Sequence, residues 1–252
     1  MILLPVVIVH HRELCEAVRH KELIPAARAA APRLAQAVRQ LLAVFGIVLP
    51  SRPGVSVVTP TWSRHGLLLR RCIPSVRAQE YGGVIEHVIV SDGPDEFLAG
   101  HPGVTCLPAH RDEPNRGVRA RAHGTGRASQ ELIAYLDDDN AWRRRHLDLL
   151  VSALLASGAD FAYSRALCHG GGFRWEIGQA PPSFAQVDTS LIVHRRGLLA
   201  RGGWQPSPGP ADWDLVRRWL AAGASWAFVP QVTMDYYAEP DRCEPDPAEA
   251  AV

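Results

Sequence analysis

Three consecutive aspartates, Asp137, Asp138 and Asp139, close the stretch LIAYLDDDN at residues 132–140. An apolar run stops against three like charges, whose repulsion is unfavourable unless a cation binds there or water screens them. On an extended chain Asp137 and Asp139 point the same way, with Asp138 opposite. Two carboxylates so placed, completed by water or phosphate oxygens, suit a hard divalent cation such as Mg²⁺ or Mn²⁺. The same residues also read as an acidic helix start, with Asn140 as N-cap before Ala141 and Trp142. On these residues alone both readings stand.

The elements that must position the aspartates favour the cation. VSVVTP (55–60) is a β-branched run bounded by Gly54 and Pro60 and predicts a buried strand. A helix follows from about His65 to Gln79, with Pro74 marking a kink or break. EHVIVSDG (86–93) predicts a second strand, VTCLPA (104–109) a short third one, and residues 116–129 a helix weakened by Gly124 and Gly126. LIAYL (132–136) is the next strand. This alternation, with near-continuous apolar strands, predicts an α/β fold with a mostly parallel sheet covered by helices on both faces. Ligands bind such sheets at the carboxyl ends of the strands. Thr59-Pro60-Thr61, Ser91-Asp92-Gly93 and Asp137-Asp138-Asp139 all fall at predicted carboxyl ends, so three polar clusters converge on one edge.

Further on, Leu147, Leu150, Val151, Leu154 and Leu155 form a helical stripe stopped by Gly158. FAYSRAL (161–167), VDTSLIVH (187–194) and WAFVP (226–230) predict strands, the Gly170-Gly171-Gly172 run a loop, and residues 212–222 a helix. Before all this, residues 1–50 read as an N-terminal helical extension, joined by a turn-rich linker at 50–54. Leu34, Val38, Leu41, Leu42 and Phe45 give it one apolar face, suited to packing on the main domain or on a second copy of the chain. His10 and His11 lie there with no evident third ligand. The domain proper spans 51–238, and the proline- and acid-rich residues 239–252 read as a loosely ordered tail.

Composition bounds the partners. Of 252 residues, 47% are hydrophobic and 21% charged, an ordinary globular balance. A formal net charge of +1 speaks against a nucleic-acid partner. Cys15, Cys72, Cys106, Cys168 and Cys243 are scattered and form no CxxC pair, so the cytoplasm is the expected compartment. The apolar opening MILLPVVIV lacks a basic n-region and a cleavage site. No run reaches the roughly 18–20 apolar residues of a membrane span. The nearest, 34–49, is interrupted by Gln36, Arg39 and Gln40.

In order and spacing, VSVVTPTWSR, SVRAQEY, EHVIVSDG, NRG followed by AR and G, LIAYLDDDN, and GGW followed by ADWDLVRRWLAAG resemble the successive signatures of family 2 glycosyltransferases. The resemblance runs from about Val55 to Tyr237. It implies a GT-A fold and an inverting enzyme that uses a nucleoside-diphosphate sugar, with UDP favoured. It implies a nucleotide pocket lined by Thr59, Pro60, Thr61 and Arg64, with Asp92 on the base and Arg121 beside the nucleotide. It places Asp137 and Asp138 at the ribose or the metal shell, and Asp139 directly on the metal. The metal would neutralise the departing diphosphate. The general base falls in the downstream acidic motif, at Asp212, with Asp214 as the alternative.

Three departures bear on this. Ala211 stands where the motif usually has Glu, Ala122 where Asn often follows Ala-Arg, and no histidine follows His194. Tyr236, Tyr237, Asp235 or water would then complete the metal shell. The expected acceptor is a small molecule or a lipid-linked molecule, bound near the Gly170–Trp175 loop, Asp188, Trp204 and Trp213. A dinucleotide-binding enzyme would place GxGxxG after the first strand, and a nucleotidyltransferase a glycine-rich basic loop there. Neither is present. A non-catalytic nucleotide-sugar-binding subunit and, despite the missing loop, a nucleotidyltransferase stand as the alternatives.

Overall fold

The computed structural model describes residues 52–99, 104–108 and 117–238. The expected helical extension over 1–50 and the tail over 239–252 lie outside these residues. Among the described residues nine strands form one sheet, in the order β3-β2-β1-β4-β8-β6-β9-β5, with β7 paired to β6. The first strands are β1 (Val55–Thr61), β2 (Ile85–Ser91), β3 (Val104–Cys106) and β4 (Leu132–Tyr135). They pair in parallel, with Val58 opposite Val88 on one side and Tyr135 on the other. The remaining strands are β5 (Ala141–Trp142), β6 (Phe161–Gly170), β7 (Phe173–Ile177), β8 (Ile192–Arg195) and β9 (Trp226–Tyr237). Here only β6 and β9 run parallel, and the other pairs are antiparallel.

Alternation along the central strands feeds two cores. Val55, Val57, Leu132 and Ala134 face one, with Leu68, Cys72, Leu147, Leu150 and Leu154. Val58, Ile133 and Tyr135 face the other, with Val118, Ala120, Leu215, Val216 and Trp219. The helical run α1 follows β1 and has three parts: a turn at His65–Leu67, a π-helical turn at Leu68–Cys72 and an α-helical turn at Ile73–Arg77. Pro74 cannot donate to a carbonyl one turn back, and the backbone widens into the π turn just before it. Helices α2 (Val118–Arg127), α3 (His146–Ser157) and α4 (Ala211–Ala221) complete the layers. Gly124 lets α2 approach β1, since a Cβ there would lie 2.5 Å from Val58 Cγ1.

Two local expectations are corrected. Ala141–Trp142 is a short strand on β9, so Asn140 is no N-cap and the aspartates start no helix. The helix begins only at His146. In 187–194 the expected strand starts late, at Ile192. Asp188 instead caps a 3-10 turn at Thr189–Leu191, its Oδ1 accepting from the Ser190 N–H at 2.8 Å.

Candidate active site

β4 ends at Tyr135, and residues 137–140 turn, with the Asn140 N–H donating to the Asp137 carbonyl at 3.2 Å. The turn overrides the extended-chain expectation for the three carboxylates. Asp138 points inward and is 2% exposed; it accepts from Thr61 Oγ1 at 2.7 Å and lies 3.5 Å from Arg64 Nε. Asp139 shares the same guanidinium, with Arg64 Nη1 at 2.5 Å from its Oδ2. Asp137 turns the other way, onto Arg121 of α2, and its N–H donates to Ser190 Oγ.

Arg121 is the hub of a second group. Burial opposes its charge, but Asp137, then Asp188 and Asp212, hold it protonated. Burial raises the Asp188 carboxyl above its ordinary range, and Asp137 and Asp212 add to this. Burial also raises Asp212, at the start of α4, against the Trp213 N–H that donates to its Oδ1 at 2.7 Å. Asp138 is pushed up to about 7 by burial, against Arg64 and Thr61. Asp139 is raised by burial and by Asp137. Tyr236 near the end of β9 has Asp188, Asp139 and Asp137 as negative neighbours, and burial pushes its hydroxyl up to about 12.

The other expected residues divide. Thr59 is fully buried, with its hydroxyl between His87 Nε2 at 2.9 Å and Cys72 Sγ at 3.4 Å. These contacts tie β1 to its neighbours. Pro60 is buried beside Gly117, whose positive φ starts α2. Asp92 follows β2, and its N–H donates to the Thr61 carbonyl. Asp214 is held by Arg217 and Arg218 at 2.9 Å each; burial raises its carboxyl, but the two guanidiniums together outweigh this and it sits below the usual range. Trp204 is buried edge-on against Tyr135 with Arg121 over its ring at 5.3 Å, and Trp213 packs partly buried on the second core. Of the substitutes for a late histidine, Asp235 is taken by Arg143 and His169, and Tyr237 stacks on His169 beneath Arg71. Tyr236 has the acidic cluster among its charged neighbours.

Reasoning from sequence missed two residues. Trp62 is 64% exposed at the end of β1, with its Nε1 3.8 Å from where a Cβ on Gly93 would stand, next to Asp92. An exposed tryptophan directly after Thr-Pro-Thr was the available signal. Ser190 fixes both Asp137 and Asp188, and nothing in a lone serine announces that.

The donor set is one of hard oxygens. Among the described residues no three His, Cys, Asp or Glu side chains could hold a metal by themselves. Asp139 accepts from Arg64 through Oδ2 and Asp137 from Arg121 through Oδ1. One or two carboxylates with phosphate oxygens and water make up the shell that Mg²⁺ takes, so the residues fit a cation that arrives with a diphosphate.

The model for glycosyl transferase family 2 matches residues 56–201. An N-acetylglucosaminyltransferase of Azorhizobium caulinodans is 30% identical over 117 residues, 43% of this chain and 29% of that protein. The chain thus spans under a third of that curated relative. TarS 1–349 of S. aureus superposes with a TM-score of 0.58 at 12% identity, over 73% of this chain and 60% of that one. Its complex with UDP-GlcNAc gives 0.57 at 13%, over 75% and 60%. The mannosyltransferase PcManGT from Pyrobaculum calidifontis, in complex with GDP-Man and Mn²⁺, gives 0.56 at 19%, over 88% and 70%. At such identities the likeness is one of fold, and the fold is GT-A. With the family's pattern covering more than half of its length on that fold, this chain belongs to glycosyl transferase family 2.

Proposed function

We propose that this chain transfers a sugar from a nucleoside-diphosphate sugar to an acceptor hydroxyl by a single inverting displacement. The carrying observation is the gathering of Asp137, Asp188 and Asp212 around the buried Arg121, beside Asp138 and Asp139. Asp212 is the general base. Its carboxylate takes the proton as the acceptor oxygen forms its bond to the anomeric carbon, and the bond from that carbon to the diphosphate breaks. Burial makes Asp212 a better proton acceptor than an ordinary aspartate, which suits this role. Asp214, neutralised by two arginines, does not.

Trp62 offers a face for the base and Asp92 a hydrogen-bond acceptor at its edge. UDP is favoured by the N-acetylglucosaminyltransferase relative and by the UDP-GlcNAc bound to TarS. A divalent cation, Mg²⁺ or Mn²⁺, would be held by Asp139 with Asp137, and PcManGT with Mn²⁺ supports this. When bound, it supplies Lewis-acid stabilisation to the leaving diphosphate. Arg64 and Arg121 place further positive charge beside the same acids. The acceptor, a small molecule or a lipid-linked one, approaches from the Asp188 side.

The test is UDP release from UDP-GlcNAc by purified protein with Mn²⁺. Asp212→Asn should lower turnover about 10²- to 10⁴-fold with UDP binding unchanged. Unchanged turnover would remove Asp212 from the chemistry.

A further inference from the structure

The antiparallel hairpin of β6 and β7 carries two large exposed rings, Phe173 at 77% and Trp175 at 43%. The register shows where they lie. Cys168 pairs with Trp175 on one side and with Tyr236 of β9 on the other, and Gly170 pairs with Phe173. Cross-strand partners share a face of the sheet, and so do residues two apart. Tyr236, Cys168, Trp175, Gly170 and Phe173 therefore occupy one face. At its inner end Tyr236 and Cys168 both have Asp188 as a charged neighbour. Exposure rises along this row, from buried Cys168 through half-buried Tyr236 to Trp175 and Phe173. An aromatic track runs outward from the acids.

Gly170 keeps the track low. A Cβ there would meet Trp175 Cη2 at 3.4 Å and Ala238 Cβ at 2.9 Å, so the indole reaches back across the hairpin and rests its outer edge on the glycine. Trp175 and Phe173 are two residues apart on a strand, so their Cα atoms stand about 7 Å apart, the scale of one monosaccharide unit. The opposite face of the hairpin is ionic and carries both signs. Arg165 pairs with Glu176 at 2.5 Å, and His169 bonds Asp235 at 2.9 Å. A surface seated on anionic lipid would concentrate basic residues around the rings. Neutral aromatic faces, with the paired charges on the other side of the hairpin, suit an uncharged, hydroxyl-rich ligand.

We infer that Trp175 and Phe173 form an acceptor subsite that stacks the sugar rings of a saccharide acceptor whose reactive hydroxyl lies toward Asp188 and Asp212. This deepens the glycosyltransferase reading and rests on it. It narrows the acceptor to a molecule bearing at least one sugar unit beyond the one that reacts.

The experiment applies the full chain, saturated with UDP and Mn²⁺, to a printed glycan array and to vesicles of phosphatidylcholine and phosphatidylglycerol. Phe173→Ala and Trp175→Ala follow in parallel, both at exposed positions where folding is not at stake. Calorimetric UDP binding by each protein is the control. The wild type should retain at least one saccharide class, and Trp175→Ala should weaken that retention about tenfold, with UDP affinity unchanged. A blank array with intact UDP binding overturns the subsite, as does retention indifferent to both substitutions. Vesicle binding lost on Trp175→Ala, without saccharide retention, assigns the rings to a lipid surface instead. Loss of UDP binding by the wild type strikes the transferase reading itself and is distinguishable from all of these.

Discussion

Replacing Arg121 by Met removes one positive charge and keeps most of the apolar stem. The Arg121 side chain is 8% exposed, and Asp137, Asp188 and Asp212 are its negative neighbours. Breaking a buried pair by deleting one partner costs about 3–5 kcal/mol, because the other charge is left uncompensated. Asp137 keeps a quarter of its side chain in solvent, so the lower end, about 3 kcal/mol, is the expectation. For a protein of this size each 1 kcal/mol is worth about 2–4 °C in Tm, giving a drop of roughly 6–12 °C at pH 8. The pH dependence has a definite sign. Without the guanidinium, the carboxyls of Asp188 and Asp212, already raised above their ordinary range, rise further. The folded variant then binds more protons than the folded wild type, and its stability relative to wild type increases as pH falls. The gap to wild type should therefore narrow between pH 8 and about pH 5.5. Melting curves by circular dichroism at four pH values measure this. An unchanged Tm at pH 8, or a gap that widens in acid, would refute the assignment of Arg121 as the charge that holds the acids together.

Other outcomes follow from individual contacts. Gly124→Ala should destabilise by about 1–3 kcal/mol because its Cβ would strike Val58. Gly126→Ala meets nothing and should stabilise by about 0.5–1 kcal/mol, both read by urea titration. Asp214→Asn should leave UDP release near the wild-type level, and a loss as deep as that of Asp212→Asn would make Asp214 the base. His146 and His194 are fully buried, and burial pulls them down to about 3 and about 4. Both are neutral when folded, so their stability contribution is intact above pH 6.5. It should fall with acidification by about 1.4 kcal/mol per pH unit for each histidine, down to about pH 4. Urea titrations of wild type and His194→Gln at pH 7 and 5 test this, since the variant should lose less.

What could be read from sequence was whatever local pattern determines. VSVVTP, EHVIVS and LIAYL are apolar runs bounded by turn residues, and their carboxyl ends brought Thr61, Asp92 and Asp137 to one edge as expected. Side-chain directions at strand ends were not legible, because tertiary partners set them. Nothing in the run itself announces that the Thr59 hydroxyl lies between His87 and Cys72. Alternation predicts that Asp137 and Asp139 share a side, but the 137–140 turn breaks the alternation and Arg64 and Arg121 divide the three acids. Asp188 interrupts VDTSLIVH by capping its own turn, a competition between side chain and ladder that apolar periodicity does not register. The role of Arg121 as hub depends on four elements meeting, and no single segment encodes it.

Isothermal titration of the purified chain with UDP, GDP and TDP, each with Mn²⁺ and then with EDTA, tests the central claim most directly. Tight binding of UDP that collapses on chelation is the predicted result. Binding of no nucleotide under either condition would contradict it.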